Sequence, residues 1–206
     1  MRLLRILGLF GLLCQTNCFA QVNDFGIWTG FQAEYDFADR FSAHLNEEFR
    51  FNENATELGS FFTDFGVDYK TPLKGFQVGV NGRFTQRRLL NDFYTPVRRL
   101  YFDFSYKKKI GKFTGIFRLR LQNQSPRAPE ENDVRARPAH DRWRFTLKYN
   151  PGSRYKPFFY TEVFHNIREK QNDQVRFCGG FDFKANVFNS YSLFYLHQRE
   201  LNTKNP

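Results

Sequence analysis

Nine arginines stand where polar and apolar residues alternate one by one along this chain: Arg50, Arg83, Arg87, Arg99, Arg118, Arg120, Arg142, Arg144 and Arg176. The run Arg142-Trp143-Arg144-Phe145-Thr146-Leu147-Lys148-Tyr149 shows the pattern most clearly. Successive side chains of a β-strand point to opposite faces, so Trp143, Phe145, Leu147 and Tyr149 share one face and the cations share the other. A guanidinium stays charged at physiological pH. Its planar fork of N–H donors holds a carboxylate or phosphate through two parallel hydrogen bonds. A set of arginines around a passage therefore favours small anions. Carboxylates recur on the same faces at Glu34, Asp36, Asp64, Asp68, Asp103 and Asp182. If the two sets pair fully, they fill the space with salt bridges instead.

Other chemistry has less support. Ser42, His44 and Glu48 fall on one face of one run, and His165 and His197 sit late in theirs. A hydrolase or acyltransferase needs a nucleophile, a base within hydrogen-bond reach and a group to orient the base. No elbow or lipase signature accompanies Ser42 and His44, so no enzyme is expected. The four histidines lie on different runs, without metal-ligand spacing to any cysteine or carboxylate cluster. No glycine loop cradles a phosphate. No cofactor and no metal are expected.

The elements that hold the arginines are extended. Ten runs of alternating character follow one another, near residues 24–37, 41–51, 61–70, 76–87, 99–106, 113–122, 142–150, 156–166, 175–184 and 190–201. The runs at 156–166 and 190–201 have no clean phase, and Trp28 stands out of pattern on the polar side of the first. No period of 3.6 is sustained, so helices are excluded. Tight turns such as Thr71-Pro72-Leu73-Lys74-Gly75 and Pro151-Gly152-Ser153 alternate with longer connections, the longest being Ser125 to His140. Strands of this length, with tight turns at one end and longer loops at the other, predict an all-β, antiparallel transmembrane β-barrel of about 10–12 strands with short periplasmic turns and longer outer loops. The aromatic face then meets lipid and the charged face lines the lumen. Strand directions put most of the arginines toward the long-loop end, with Arg83 near mid-height and the acidic residues lower.

Composition agrees. Residues 1–20 read as a cleaved signal peptide: Arg2 and Arg5, an apolar run Ile6–Leu13, then Cys18-Phe19-Ala20. Residues 21–206 form the barrel domain, and only Cys178 remains in them, so no internal disulfide forms. The chain holds 19% aromatic residues, 27 of them Phe, yet its mean hydropathy is negative. The net charge of +10 becomes +8 without Arg2 and Arg5. Basic residues spread evenly over exported strands argue against nucleic acid as a partner. The competing architecture is a secreted β-sandwich or lipocalin-like barrel with the aromatic face as its core.

These stretches carry a resemblance. Asp24-Phe25-Gly26-Ile27-Trp28, Glu47-Glu48-Phe49-Arg50-Phe51-Asn52, Arg142-Trp143-Arg144, Pro157-Phe158-Phe159-Tyr160-Thr161-Glu162 and Leu193-Phe194-Tyr195-Leu196-His197-Gln198 resemble an uncharacterised outer-membrane β-barrel family of Gram-negative bacteria, the domain-of-unknown-function family numbered 2490. The resemblance implies a barrel, a place in the cell outer membrane among its lipids, and insertion by the barrel assembly machinery; it implies no activity. Similar proteins continue past a segment like Leu201–Pro206 into a closing strand that ends in an aromatic residue. The resemblance thus implies either a missing final strand or a different closure.

Overall fold

A computed structural model describes residues 25–89, 91–124, 139–186 and 189–201. The segment read as a signal peptide and most of the longest loop lie outside these residues, as do positions 202–206. Ten strands follow in sequence: β1 (Ile27–Ala38), β2 (Phe41–Asn52), β3 (Glu57–Lys70), β4 (Phe76–Arg88), β5 (Tyr94–Ile110), β6 (Phe113–Gln124), β7 (Ala139–Tyr149), β8 (Tyr155–Asn166), β9 (Gln171–Lys184) and β10 (Ser190–Glu200). They form one sheet in the order β1 to β10, each strand antiparallel to the next. This all-β, antiparallel, barrel-like architecture is the one the alternation predicts. The sheet curls far enough for the Arg176 guanidinium of β9 to lie 5.6 Å from the ring of Trp28 on β1. Among the described residues, β1 and β10 are not hydrogen-bonded to each other, so the curl stays open along that seam.

The distribution of polarity is the reverse of a soluble sheet's. Buried side chains on the concave face are mostly polar or charged, among them Asp64, Asn81, Arg120, Gln122, Arg142 and Glu162. The convex face carries Phe31, Phe65, Phe84, Phe102, Phe145, Phe159 and Phe181, all exposed. The aromatic residues are therefore not the core of a sandwich. A strand's period of two enforces this split, since any one-residue slip would turn a whole row of arginines outward. Gly66 gives room inside: a Cβ there would collide with the Asn81 amide and the His44 ring.

At the end where residues 39–40, 71–75, 111–112 and 150–154 make the turns, every strand offers an aromatic side chain to the convex face. Phe37 stacks on Phe41, and Phe41 lies 4.8 Å from Tyr69. Phe76 pairs with Tyr106 across β4 and β5. Phe113 and Tyr149 approach to 5.0 Å, Tyr155 and Phe183 to 5.1 Å, and Tyr191 pairs with Phe183. Such cross-strand aromatic pairs hold register as well as bury surface. The opposite rim lacks this ring on β7 and β8. There Trp143 donates to Asp141 (2.8 Å), and Asp141 pairs with His165 (2.7 Å).

Two runs of open phase are now settled. In β8, Phe158, Tyr160, Glu162 and Phe164 face inward, and Phe159 and Val163 face outward; in β10, Phe194 faces inward and Tyr191, Leu193 and Tyr195 outward. Phe62 of β3 is also inside, buried beside Arg83.

Gly66→Val is expected to cost about 2 kcal/mol by overpacking the interior. Gly115→Val, where an added Cβ meets nothing nearer than Phe145 at 3.9 Å, should stay within about 0.5 kcal/mol of the natural protein. Urea unfolding of the folded protein in detergent compares the two.

Candidate functional site: an arginine-lined interior

All nine arginines of the alternating runs line one interior cavity of about 570 Å³. Arg50 and Arg87 sit near the loop-side ends of β2 and β4, whereas Arg118 and Arg144 sit near the middle of β6 and β7. The cations thus form a band from mid-height upward rather than a collar at one mouth.

The centre of the band is an anion. Glu162 of β8 is fully buried, with a side-chain exposure of 0%. Its neighbours in the same register row are Arg144 on β7 and Arg176 on β9, and Arg118 on β6 follows Arg144. Arg118 donates to Oε1 (2.8 Å) and Arg142 to Oε2 (2.8 Å). Arg144 straddles both oxygens (3.1 and 3.0 Å), the two-point geometry that suits a guanidinium to a carboxylate. Arg176 stands 4.0 Å away. Like charges directly opposite on adjacent strands repel. The register makes two such pairs, Arg118 with Arg144 and Arg120 with Arg142, side by side. Glu162 is what lets Arg118, Arg142 and Arg144 coexist. Arg120 is held separately by Asp103 through two 2.7 Å hydrogen bonds.

Two further carboxylates complete the upper interior. Asp64 accepts from Arg83 Nε (2.8 Å) and from the Tyr101 hydroxyl. Glu48 accepts from Arg50 Nε (2.6 Å). Aromatic faces support the same cations. Arg50 stacks on Trp28 (3.9 Å), Arg83 on Phe62 (3.8 Å) and Arg120 on Tyr101 (3.7 Å). Arg142 and Arg176 share Phe164 (4.2 and 4.6 Å), and Arg144 lies over Tyr160 (4.2 Å). A guanidinium is weakly hydrated and flat, so a ring beneath it replaces lost water with electrostatic attraction. Trp28 is out of pattern in the sequence because it is one of these platforms.

Among the described residues, nine arginines meet six carboxylates here, namely Glu48, Asp64, Asp68, Asp103, Asp173 and Glu162, so three positive charges are in excess with histidines neutral. Asp68 and Asp173 are engaged by His44 (3.1 Å) and His140 (2.9 Å). Among the described residues, the buried Nε groups of Arg118 and Arg142 have no hydrogen-bond partner. Below the band, toward the tight turns, Lys70 pairs with Asp36 and Lys148 with Asp182. That part of the interior is balanced.

Among the described residues, the Ser42 Oγ is buried without a hydrogen-bond partner and His44 Nδ1 is bonded to Asp68, so the two are not hydrogen-bonded to each other. Among the described residues, no cluster of His, Cys, Asp and Glu has metal-binding geometry. Cys178 is buried and free.

Sequence reasoning finds the nine cations but misses Glu162 and the platforms Phe62, Tyr101, Tyr160 and Phe164. The signal for Glu162 was an acidic residue two and four places from aromatic residues in a strand with aromatic side chains on both faces.

Glu162→Gln should strand three guanidinium groups and cost about 3–5 kcal/mol, the usual penalty for breaking a buried ion pair from one side. Adding Arg142→Met removes one stranded cation and should recover part of the loss. Urea midpoints of the two variants check this; an equal loss in both would show that Glu162 is no hub.

A family model described as "Protein of unknown function (DUF2490)" matches residues 25–206. No curated protein matches the chain, and no solved structure does.

Proposed function

The chain belongs to this family of unknown function, and from the geometry of its interior we propose an integral outer-membrane barrel that holds or passes small anions. The observation that carries the reading is the excess of guanidinium over carboxylate around one cavity of about 570 Å³. The solutes that suit it are carboxylates and phosphates small enough to meet two arginines at once. The Nε donors of Arg118 and Arg142 supply hydrogen bonds that the protein's own acceptors do not use.

The membrane half of the proposal rests on the convex face. Phe65, Phe84, Phe145 and Phe181 are between 47% and 54% exposed near strand centres, with aromatic residues ringing the tight-turn end. A continuous apolar face of this kind needs a cover, and hydrocarbon covers it without further protein. Backbone groups satisfied between neighbouring strands are the other requirement of a bilayer, met from β1 through β10 and left open at the seam between those two among the described residues. The signal at residues 1–20 directs export and is cleaved, and the barrel assembly machinery completes insertion. A second reading, a closed barrel without transport, is favoured by the guanidinium–aromatic stacks, which narrow the same cavity.

Planar-bilayer recordings under a salt gradient separate the two. The pore predicts a reversal potential on the anion-selective side. Glu162→Gln should move it further that way, and Arg118→Gln with Arg144→Gln should move it toward cations. Absence of current from folded, inserted protein would assign the closed barrel.

A further inference from the structure

The two kinds of cation are sorted by place. The interior band is all arginine, whereas nine of the ten lysines among the described residues lie at the tight-turn end, Lys170 being the exception. Lys70 and Lys148 are committed to Asp36 and Asp182. Lys74, Lys107, Lys108, Lys109, Lys112 and Lys184 are exposed and have no ion-pair partner among the described residues. The acidic residues of that rim are few, chiefly Asp36, Asp39 and Asp182, of which Asp36 and Asp182 are taken by Lys70 and Lys148. At the other rim Arg88 pairs with both Glu57 and Asp92.

On β5 the convex-face position beyond the ring residue Tyr106 is Lys108, with Lys107 and Lys109 alternating to the other side at the same end of the strand. Lys108 is two residues past Tyr106 on the same convex face, about 7 Å further along the strand at the usual rise. Ile110 and Phe113 pair beside it at the β5–β6 turn, both exposed. Aromatic side chains and ammonium groups mixed at one end of the sheet match an interface where hydrocarbon gives way to phosphate. Lysine suits the outer position, since its flexible stem can lie along apolar surface while the hydrated head stays in water.

We propose that this rim is a docking collar for the phosphates of anionic phospholipids in the leaflet at the tight-turn end. The proposal rests on the membrane-barrel reading and adds a lipid preference to it. The arginine band plays no part, since it faces inward.

Electron spin resonance on the full chain in phosphatidylcholine bilayers tests it, with trace spin-labelled phosphatidylglycerol or phosphatidylcholine as the probe. The motionally restricted fraction should favour phosphatidylglycerol by about fivefold, the scale of one lysine's attraction to an anionic surface. The preference should fall to near unity in about 1 M salt, where screening acts within about 3 Å. It should fall likewise in the variant Lys107→Gln, Lys108→Gln, Lys109→Gln, Lys112→Gln, and persist in Arg168→Gln with Lys170→Gln at the opposite rim. Equal restriction of both probes by the natural chain, or a preference that survives both salt and the fourfold substitution, overturns the collar and leaves the barrel standing. If neither probe is restricted, the membrane-spanning reading falls, and the collar with it. The salt titration uses the natural chain, so the outcome does not hang on the variant's folding.

Discussion

One buried carboxylate governs the interior. Glu162 lies where three strands would otherwise bring guanidinium groups against one another, and every oxygen it has is taken up by them. An ion pair out of water gains only if desolvation is offset by several well-placed hydrogen bonds. Here four hydrogen bonds from Arg118, Arg142 and Arg144 converge on a single side chain with no solvent exposure. Asp103 and Asp64 repeat the arrangement for Arg120 and Arg83. Take these anions away and the concave face is a wall of like charge that would open the curl rather than hold it.

Aromatic residues do two unrelated jobs in the same strands. Outward rings such as Phe41, Tyr69, Phe113 and Tyr149 meet each other across strand pairs. Inward rings such as Phe62, Tyr101, Tyr160 and Phe164 meet guanidinium groups. The second group lets a small cross-section hold many cations, because each stack occupies less space than a hydrated ion would. Gly66 serves the same economy of space beside His44 and Asn81.

What could be read from the residues follows from the range of each signal. Alternation is local, so the ten strands, their antiparallel order and the inward arginines were legible in stretches such as Arg142–Tyr149. Phase was lost where both faces carry rings: Phe158-Phe159-Tyr160 and Phe194-Tyr195 look alike from either side. Glu162 was invisible for that reason, and because its partners come from β6 and β7, far away in sequence. Height was misjudged as well, since strands of unequal length displace rows relative to the rim. Arg118 and Arg144 lie near mid-strand for that reason. The open seam between β1 and β10 depends on the two strands farthest apart in the chain, which no local pattern constrains.

The chain has two tryptophans, one on each side of the sheet. Trp28 lies beneath Arg50 and near Arg176 inside the curl, and Trp143 is 45% exposed on the convex face with its indole N–H on Asp141. The protein therefore carries its own pair of optical reporters. Emission from Trp28 follows whatever enters among the arginines, and emission from Trp143 follows the medium that bathes the outside. Replacing either one with phenylalanine leaves a single-channel instrument, so the two environments can be followed separately without an attached dye.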